Sequence, residues 1–292
     1  MYNILVTGSN GQLGNEMRIM AAAGGHNFVF TDIVGAPDCR TEILDICDKE
    51  AVRGICDRYN IDIIVNCAAY TAVDKAEDDE PAAHRLNAVA PANLAEVAAA
   101  RGAMLIHIST DYVFPGDGCV PVRESDTPAP RSAYGRTKLA GEQAVKSLTD
   151  KYVIIRTAWL YSPFGNNFVK TMKRLTAEKD TIKVVFDQVG TPTYAADLAG
   201  AIMKIIDEPG PRHYGVYHFS DEGAVSWYDF ARHIAQMCSN TCDIRPCLSG
   251  EFPSKVARPH YSVLDKSLIK STFGIDIPYW ADSLADCLER LK

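Results

Sequence analysis

Tyr2-Asn3-Ile4-Leu5-Val6-Thr7-Gly8-Ser9-Asn10-Gly11-Gln12-Leu13-Gly14 opens the chain with a short apolar run that ends among three glycines. Residues 2–7 read as a strand, and residues 12–22 carry the spacing of a helix. Glycines at 8, 11 and 14 allow a tight turn and let the backbone approach a pyrophosphate. The helix start then offers unpaired N–H groups and a partial positive charge to an anion. A glycine turn that binds nothing would use the same residues. The order strand, glycines, helix is nevertheless the order that dinucleotide binding requires.

The pattern continues outward from that stretch. Residues 27–31 read as a second strand with Asp32 at its end. A carboxylate there can accept from both ribose hydroxyls of NAD and repel a 2′-phosphate. The next cation along the chain is Arg40, so the reading favours NADH and leaves NADPH open, with a surface-turn aspartate as the alternative. Asp45 and Ile46 follow a short apolar run, and Asp48 is suited to cap a helix over 49–59. Residues 62–67 form a buried-type strand that leads into the small residues Ala68 and Ala69, then Tyr70 and Thr71. A helix is expected over 81–100, a strand over 104–109, and a core strand over 152–157. Strands alternating with helices specify an α/β fold: a doubly wound parallel sheet of Rossmann type with right-handed crossovers.

The chemistry sits in Ser132-Ala133-Tyr134-Gly135-Arg136-Thr137-Lys138. On a helix, Tyr134 and Lys138 leave the same face one turn apart. A phenol ordinarily titrates near ~10, and a nearby ammonium favours the phenolate. Such a tyrosine can protonate a carbonyl oxygen while hydride reaches the carbon. An ordinary helix face gives the same spacing. Thr110, closing the strand 104–109, supplies a hydroxyl for the same carbonyl, or else only a local cap for its strand.

Composition bounds the remaining choices. The 292 residues are 47% hydrophobic and 23% charged, as in a globular enzyme. A net charge of −7 without a basic run argues against nucleic acid. No apolar stretch is long enough to span a membrane, and no cleavable leader is visible, so a cytoplasmic location is expected. Nine scattered cysteines suit a reducing compartment. Cys238, Cys242 and Cys247 lack the partners of a zinc site and read as buried thiols.

Seven stretches together resemble the extended short-chain dehydrogenase/reductases and, within them, the dTDP-4-dehydrorhamnose reductase family. They are Gly11–Gly14, Ala68–Glu77, Ser109–Phe114, Tyr134–Glu142, Arg156–Tyr161, Gly165–Phe168 and Asp187–Thr193. The resemblance implies that Gly11, Gln12 and Leu13 line a cofactor diphosphate, with Gly8 and Gly14 shaping the turn, and that Asp32 meets the adenosine ribose. It places Asp45 and Ile46 beside the adenine, and Ala69, Tyr70 and Thr71 along the cofactor's middle. Tyr134 becomes the proton donor, and Lys138 holds both phenol and nicotinamide ribose. Thr110, Asp111 and Trp159 become sugar contacts. The implied reaction is reduction of the C4 ketone of a dTDP-4-dehydro sugar by NADH or NADPH. Some members hold Mg2+ at a homodimer contact, but no matching carboxylate set is evident in this sequence.

Trp159 follows the strand 152–157 and by residue type alone suits an interdomain core. Helices are expected over 166–178, 195–207, 227–238 and 280–291, and strands over 183–186 and 215–219. Arg258 is a candidate for the sugar-nucleotide diphosphate or a plain surface arginine. Two interleaved lobes are expected: residues 1–157 with 187–219 for the dinucleotide, and 158–186 with 220–292 for the sugar nucleotide. A related epimerase or dehydratase would share the fold. A non-catalytic subunit, such as the regulatory chain of methionine adenosyltransferase, would share it too. The acidic pair of a dehydratase is not formed, because Tyr112 follows Asp111.

Overall fold

The computed structural model describes residues 1–208, 213–252 and 254–292. Residues 209–212 and 253, inside the segments expected for the two lobes, lie outside the described residues. The first half runs β1 (Asn3–Thr7), α1 (Gln12–Ala23), β2 (Asn27–Asp32), β3 (Glu42–Ile43), α2 (Lys49–Arg58), β4 (Ile63–Asn66), α3 (Val73–Asp78), α4 (Glu80–His84), α5 (Ala90–Arg101) and β5 (Met104–Thr110). It continues with α6 (Ala133–Leu148), β6 (Tyr152–Thr157), β7 (Leu160–Tyr161), α7 (Phe168–Glu178), β8 (Thr181–Val185), β9 (Val189–Gly190) and β10 (Thr193–Tyr194). The remainder is α8 (Ala195–Asp207), β11 (Gly215–His218), β12 (Val225–Ser226), α9 (Trp227–Met237), β13 (Asp243–Cys247), α10 (Ser267–Phe273) and α11 (Trp280–Glu289).

Seven strands make one sheet in the order β11-β6-β5-β4-β1-β2-β3. Every pairing in it is parallel. The chain moves outward from β1 through β2 and β3, then returns to β4 on the other side of β1. The carboxyl ends of β1 and β4 therefore flank the switch point at which doubly wound sheets take ligands. Alternate residues of the central strands feed opposite faces. Ile4 and Val6 pack with α1 and α8, and Leu5 packs with α2 and α5. A third core joins Tyr161, Val169, Phe230, Ile234 and Leu284, under the short pairs β10–β7, β12–β9 and β13–β8. These elements form an accessory layer beside the sheet.

The helix expected over 81–100 is not continuous. A π-helical turn at Arg85–Val89 separates α4 from α5. The Asn87 amide accepts from the Tyr70 N–H at 2.9 Å and donates to its carbonyl at 3.1 Å. It also donates to Thr137 Oγ1 at 3.2 Å. These tertiary bonds fix the wider turn, as is common for such insertions near functional loops. Gly141 of α6 lies against the same turn, where an added Cβ would stand 2.1 Å from the Asn87 carbonyl oxygen. The strand expected over 183–186 is shifted to Thr181–Val185, because its register is set by pairing with β13.

Candidate functional site

The turn after β1 is shaped by close approach. Gly8 has φ +62°, and a Cβ there would meet the Ala68 backbone at 2.6 Å. At Gly14 a Cβ would stand 2.4 Å from Ser9 Cα and 2.5 Å from the Gly8 carbonyl oxygen. The helix α1 begins at Gln12 with Gly11 as its cap residue and no capping side chain. Its first N–H groups and its positive dipole end therefore face the cleft unclaimed by a side chain. This cradle fits the pyrophosphate of a dinucleotide.

Asp32 ends β2 on the far side of that cradle. Its two carboxylate oxygens accept from the Asn10 and Ile33 N–H groups at 3.0 and 2.8 Å. Arg18 stands beside this loop, a cation the sequence reading passed over. It donates to Ser9 Oγ at 2.7 Å and Thr41 Oγ1 at 2.8 Å, and its guanidinium lies 4.4 Å above the Phe30 ring. Asp45 accepts from the Cys47 N–H at 2.8 Å and lies 3.4 Å from Arg85. Ile46 is buried in the core of the sheet's α2 face, and Leu13 in that of its α1 face. Ala69 and Tyr70 are half-buried after β4, and Thr71 is exposed.

The Gln12 side chain is bonded toward the accessory layer. Its Oε1 accepts from Asn167 Nδ2 at 2.9 Å and from Ser162 Oγ at 3.2 Å, both in the accessory layer. Its Nε2 reaches the Leu160 carbonyl at 3.4 Å. The glycine turn and the accessory layer are thus stitched together through one amide. The sequence gives no local signal for bonds spanning some 150 positions.

Thr110 ends β5, two strands from β1, and α6 crosses above it. Ser132 caps α6 by accepting from the Gly135 N–H at 3.0 Å. Tyr134, Lys138 and Thr110 are all buried. The Thr110 hydroxyl donates to Asp111 Oδ1 at 2.9 Å and accepts from the Tyr112 N–H at 3.2 Å, so it does cap its strand end. It also bonds the Tyr134 phenol, which lowers that group in part. Tyr112 packs edge-on against Tyr134 with centroids 5.5 Å apart.

Burial outweighs the expected effect of Lys138 on the phenol in this structure, where the ammonium donates to the Ile108 carbonyl at 2.6 Å. Burial pushes Tyr134 well above its usual range, and Asp111 and Tyr112 add to the rise. Burial lowers Lys138 to about 8, with Glu142 opposing. Asp111 is raised to about 6 by burial, against the bond from Thr110. The phenol is consequently a neutral acid at physiological pH in this state, the form that can give up a proton.

Trp159 sits half-buried with φ +50°, a left-handed conformation unusual for a bulky residue. Its ring stacks on Trp227 at 3.5 Å and closes over Gly190. Arg258 Nη2 donates to Asp74 Oδ2 of α3 at 2.9 Å and bonds the Tyr112 hydroxyl. Ser254 and Lys255 also reach α3, at Asp74 and Asp78. Among the described residues no group of three or more His, Cys, Asp or Glu side chains is disposed to hold a metal ion. Glu16, the buried carboxylate on α1, is engaged with Arg290 at 3.0 Å. Mg2+ therefore finds no support among the described residues, and the nine cysteines are free thiols. No helix among the described residues is long and apolar enough to cross a membrane.

A family model described as "RmlD substrate binding domain" matches residues 2–292. A dTDP-4-dehydrorhamnose reductase of Mycolicibacterium smegmatis is 41% identical over 98% of this chain and 84% of its own. A solved dTDP-4-dehydrorhamnose reductase from Clostridium acetobutylicum is 44% identical, with a TM-score of 0.92 and 99% of both chains covered. The Bacillus anthracis counterpart, solved in complex with NADP, is 37% identical, with a TM-score of 0.91 and 99% of both chains covered.

Proposed function

The chain belongs to the RmlD substrate binding domain family, and we propose from that membership that it is a dTDP-4-dehydrorhamnose reductase. It reduces the C4 ketone of dTDP-4-dehydro-β-L-rhamnose to dTDP-β-L-rhamnose, an NAD(P)H-dependent step of nucleotide-sugar biosynthesis. The observation that carries the mechanism is the shared burial of Tyr134, Lys138 and Thr110 at the sheet's carboxyl edge, beside an uncapped helix start.

Reduced nicotinamide, when bound, supplies the hydride to the keto carbon. Tyr134 gives its phenolic proton to the carbonyl oxygen, which becomes the C4 hydroxyl. Thr110 orients that oxygen. The Lys138 ammonium stabilises the phenolate left behind, in a site too dry for water to screen it. Gly8, Gly11 and Gly14 with the start of α1 hold the cofactor diphosphate, and Asp32 the adenosine ribose. Trp159 and Asp111 meet the sugar, and Arg258 its diphosphate. Asp32 supports NADH, and Arg18 beside it supports acceptance of a 2′-phosphate, so both cofactors serve. We assign residues 1–157 with 187–219 to the dinucleotide lobe, and 158–186 with 220–292 to the sugar-nucleotide lobe. Nine free thiols support a reducing cytoplasm.

The test is oxidation of NADH and NADPH in the presence of enzymatically generated dTDP-4-dehydrorhamnose, followed by absorbance. Wild type turns over with both cofactors. Tyr134→Phe binds NADH normally and loses about two decades or more of rate, as for removal of a general acid. Near-normal turnover in that variant rejects the assignment.

A further inference from the structure

Those three groups leave one buried ion pair unused. Glu142 lies one turn beyond Lys138 on α6 and is fully buried, and Arg156 at the end of β6 is 1% exposed. Arg156 donates through Nε and Nη2 to the two carboxylate oxygens at 2.9 and 2.7 Å. Ser109, the residue before Thr110, donates to Glu142 Oε1 at 2.6 Å. Lys146 adds a second cation at 3.7 Å. A buried ion pair is weak evidence of a stabilising role, because desolvation offsets most of its attraction. Its placement is more informative. One carboxylate grips the strand end that carries Thr110 and the helix that carries Tyr134 and Lys138.

We propose that Glu142 is a positioning residue for the reduction: it clamps α6 to β5 and β6 and supplies the counter-charge for the buried Lys138 ammonium. The proposal rests on the reading of Tyr134, Lys138 and Thr110 as the reacting groups. The other ionisable groups packed on α6 are occupied or neutral. Glu77 accepts from the Ala133 N–H at 2.6 Å, and Glu80 pairs with Arg136 at 2.8 Å. Asp111 is bonded to Thr110, and Tyr112 is held neutral by burial. His107 is kept neutral by burial and by Lys138 itself. His218, near Glu142 and Arg156, is likewise lowered, to about 4, mainly by burial. Glu142 is the group whose charge raises Lys138. Burial alone would raise Glu142, yet Arg156 holds it below the usual carboxylate range, so it is ionised at neutral pH.

The sign follows. The charged form of Lys138 is the active one, so rate falls as pH rises through its pKa. Removing the Glu142 charge lowers that pKa and moves the alkaline limb of kcat toward acid.

The experiment compares pH profiles of kcat for wild type, Glu142→Gln and Ser109→Ala, with NADH affinity measured alongside. Glu142→Gln keeps an acceptor for Ser109 and Arg156 Nε, and loses the charge together with the second acceptor that holds Arg156 Nη2. Its alkaline limb moves by about one pH unit, a tenfold loss on that limb, with NADH affinity within about twofold. Ser109→Ala removes the strand grip and leaves the charge, so kcat falls about threefold to tenfold with an unmoved profile. A Glu142→Gln profile superimposable on wild type overturns the proposal. Should Glu142→Gln not fold, an unchanged kcat in Ser109→Ala overturns it, and a fall with an unchanged KM for the sugar supports it. Tyr134→Phe run in parallel separates the two readings. If that variant keeps its rate, the assignment of reacting groups has failed. If it loses rate while both new variants behave as wild type, only the role of Glu142 has failed.

Discussion

The two walls of the cleft are held by different physics. The floor, made of α6 on β5 and β6, is fixed by short bonds between groups with almost no solvent contact, Lys138 to Ile108 and Glu142 to Arg156 and Ser109. The rim, where residues 254–258 reach α3, is fixed by ion pairs open to water. Lys255 and Asp78 are 62% and 60% exposed, and Arg258 and Asp74 are 34% and 45% exposed. A charge on the floor acts in a low dielectric, with few mobile ions to screen it. A pair on the rim contributes about 0–1 kcal/mol and weakens in salt. Proton transfer needs fixed geometry, which the buried bonds supply, whereas the exposed pairs hold residues 254–258 against α3 more weakly.

Lys138→Met puts the greatest strain on this comparison. Loss of the ammonium removes about two decades of kcat/KM, as for one preorganised electrostatic group. The desolvation cost of the ammonium goes and so does its bond to the Ile108 carbonyl, and the two offset, so thermal stability changes little. A rate measurement beside a melting curve checks both. A fall in melting temperature that tracks the loss of rate would make Lys138 structural and undo the floor's special status.

Asp111 is next in size. Its folded pKa of about 6 lies above the ordinary 3.8, so folding favours its protonated form. The unfolded chain releases that proton first, so stability falls as pH rises from about 4 to 6 and is level above. Asp111→Asn keeps an acceptor for Thr110 and escapes the penalty. It should be more stable than wild type by about 2–3 kcal/mol at pH 8 and equal to it at pH 3. Denaturant titrations at the two pH values read the difference directly. No gain at pH 8 would mean that Asp111 is solvated and that the floor extends no further than α6.

These environments were unequally visible in the sequence. The doubly wound sheet was legible because its signals are local: apolar runs, a glycine turn whose Gly8 and Gly14 tolerate no Cβ, and helices that follow at once. Tyr134 and Lys138 were legible as positions on one helix face, since helical spacing alone brings them together. Their electrostatics were not, because desolvation depends on the packing of β5 and α3, far away in the chain. The accessory layer was harder to see. Strands of two residues, such as β9 and β12, have no periodicity to read, and β13 carries Arg245 and Pro246 in its middle. The π-helical turn came from Asn87 reaching Tyr70, and nothing local marks it. Arg18 has no local mark in the sequence, because the cation that reaches the loop beside Asp32 comes from the preceding helix α1 and not from the residues that follow.

Gln12 tests a joint of intermediate strength. Its amide is half-buried and makes bonds at 2.9 and 3.2 Å to the accessory layer. Gln12→Ala leaves the backbone N–H groups of the turn in place, so NADH affinity stays within about twofold. Loss of roughly 1 kcal/mol of bridging raises KM for the sugar about fivefold with little change in kcat. A matched loss of NADH affinity would show the side chain serving the diphosphate after all.

The smallest effect belongs to the rim. Lys255→Ala removes an exposed pair with Asp78 and touches none of the buried bonds. Since such a pair is worth less than about 1 kcal/mol, KM for the sugar should change less than about fivefold at low salt. At 0.5 M salt the difference should shrink toward nothing, because the screening length falls to roughly 4 Å. Glu142→Gln measured in the same salt series should keep its full deficit, its partners being closed to ions. A rim variant insensitive to salt, or a floor variant rescued by it, would show that solvent does not distinguish the two walls. The contrast would then have to be sought in their mechanics instead.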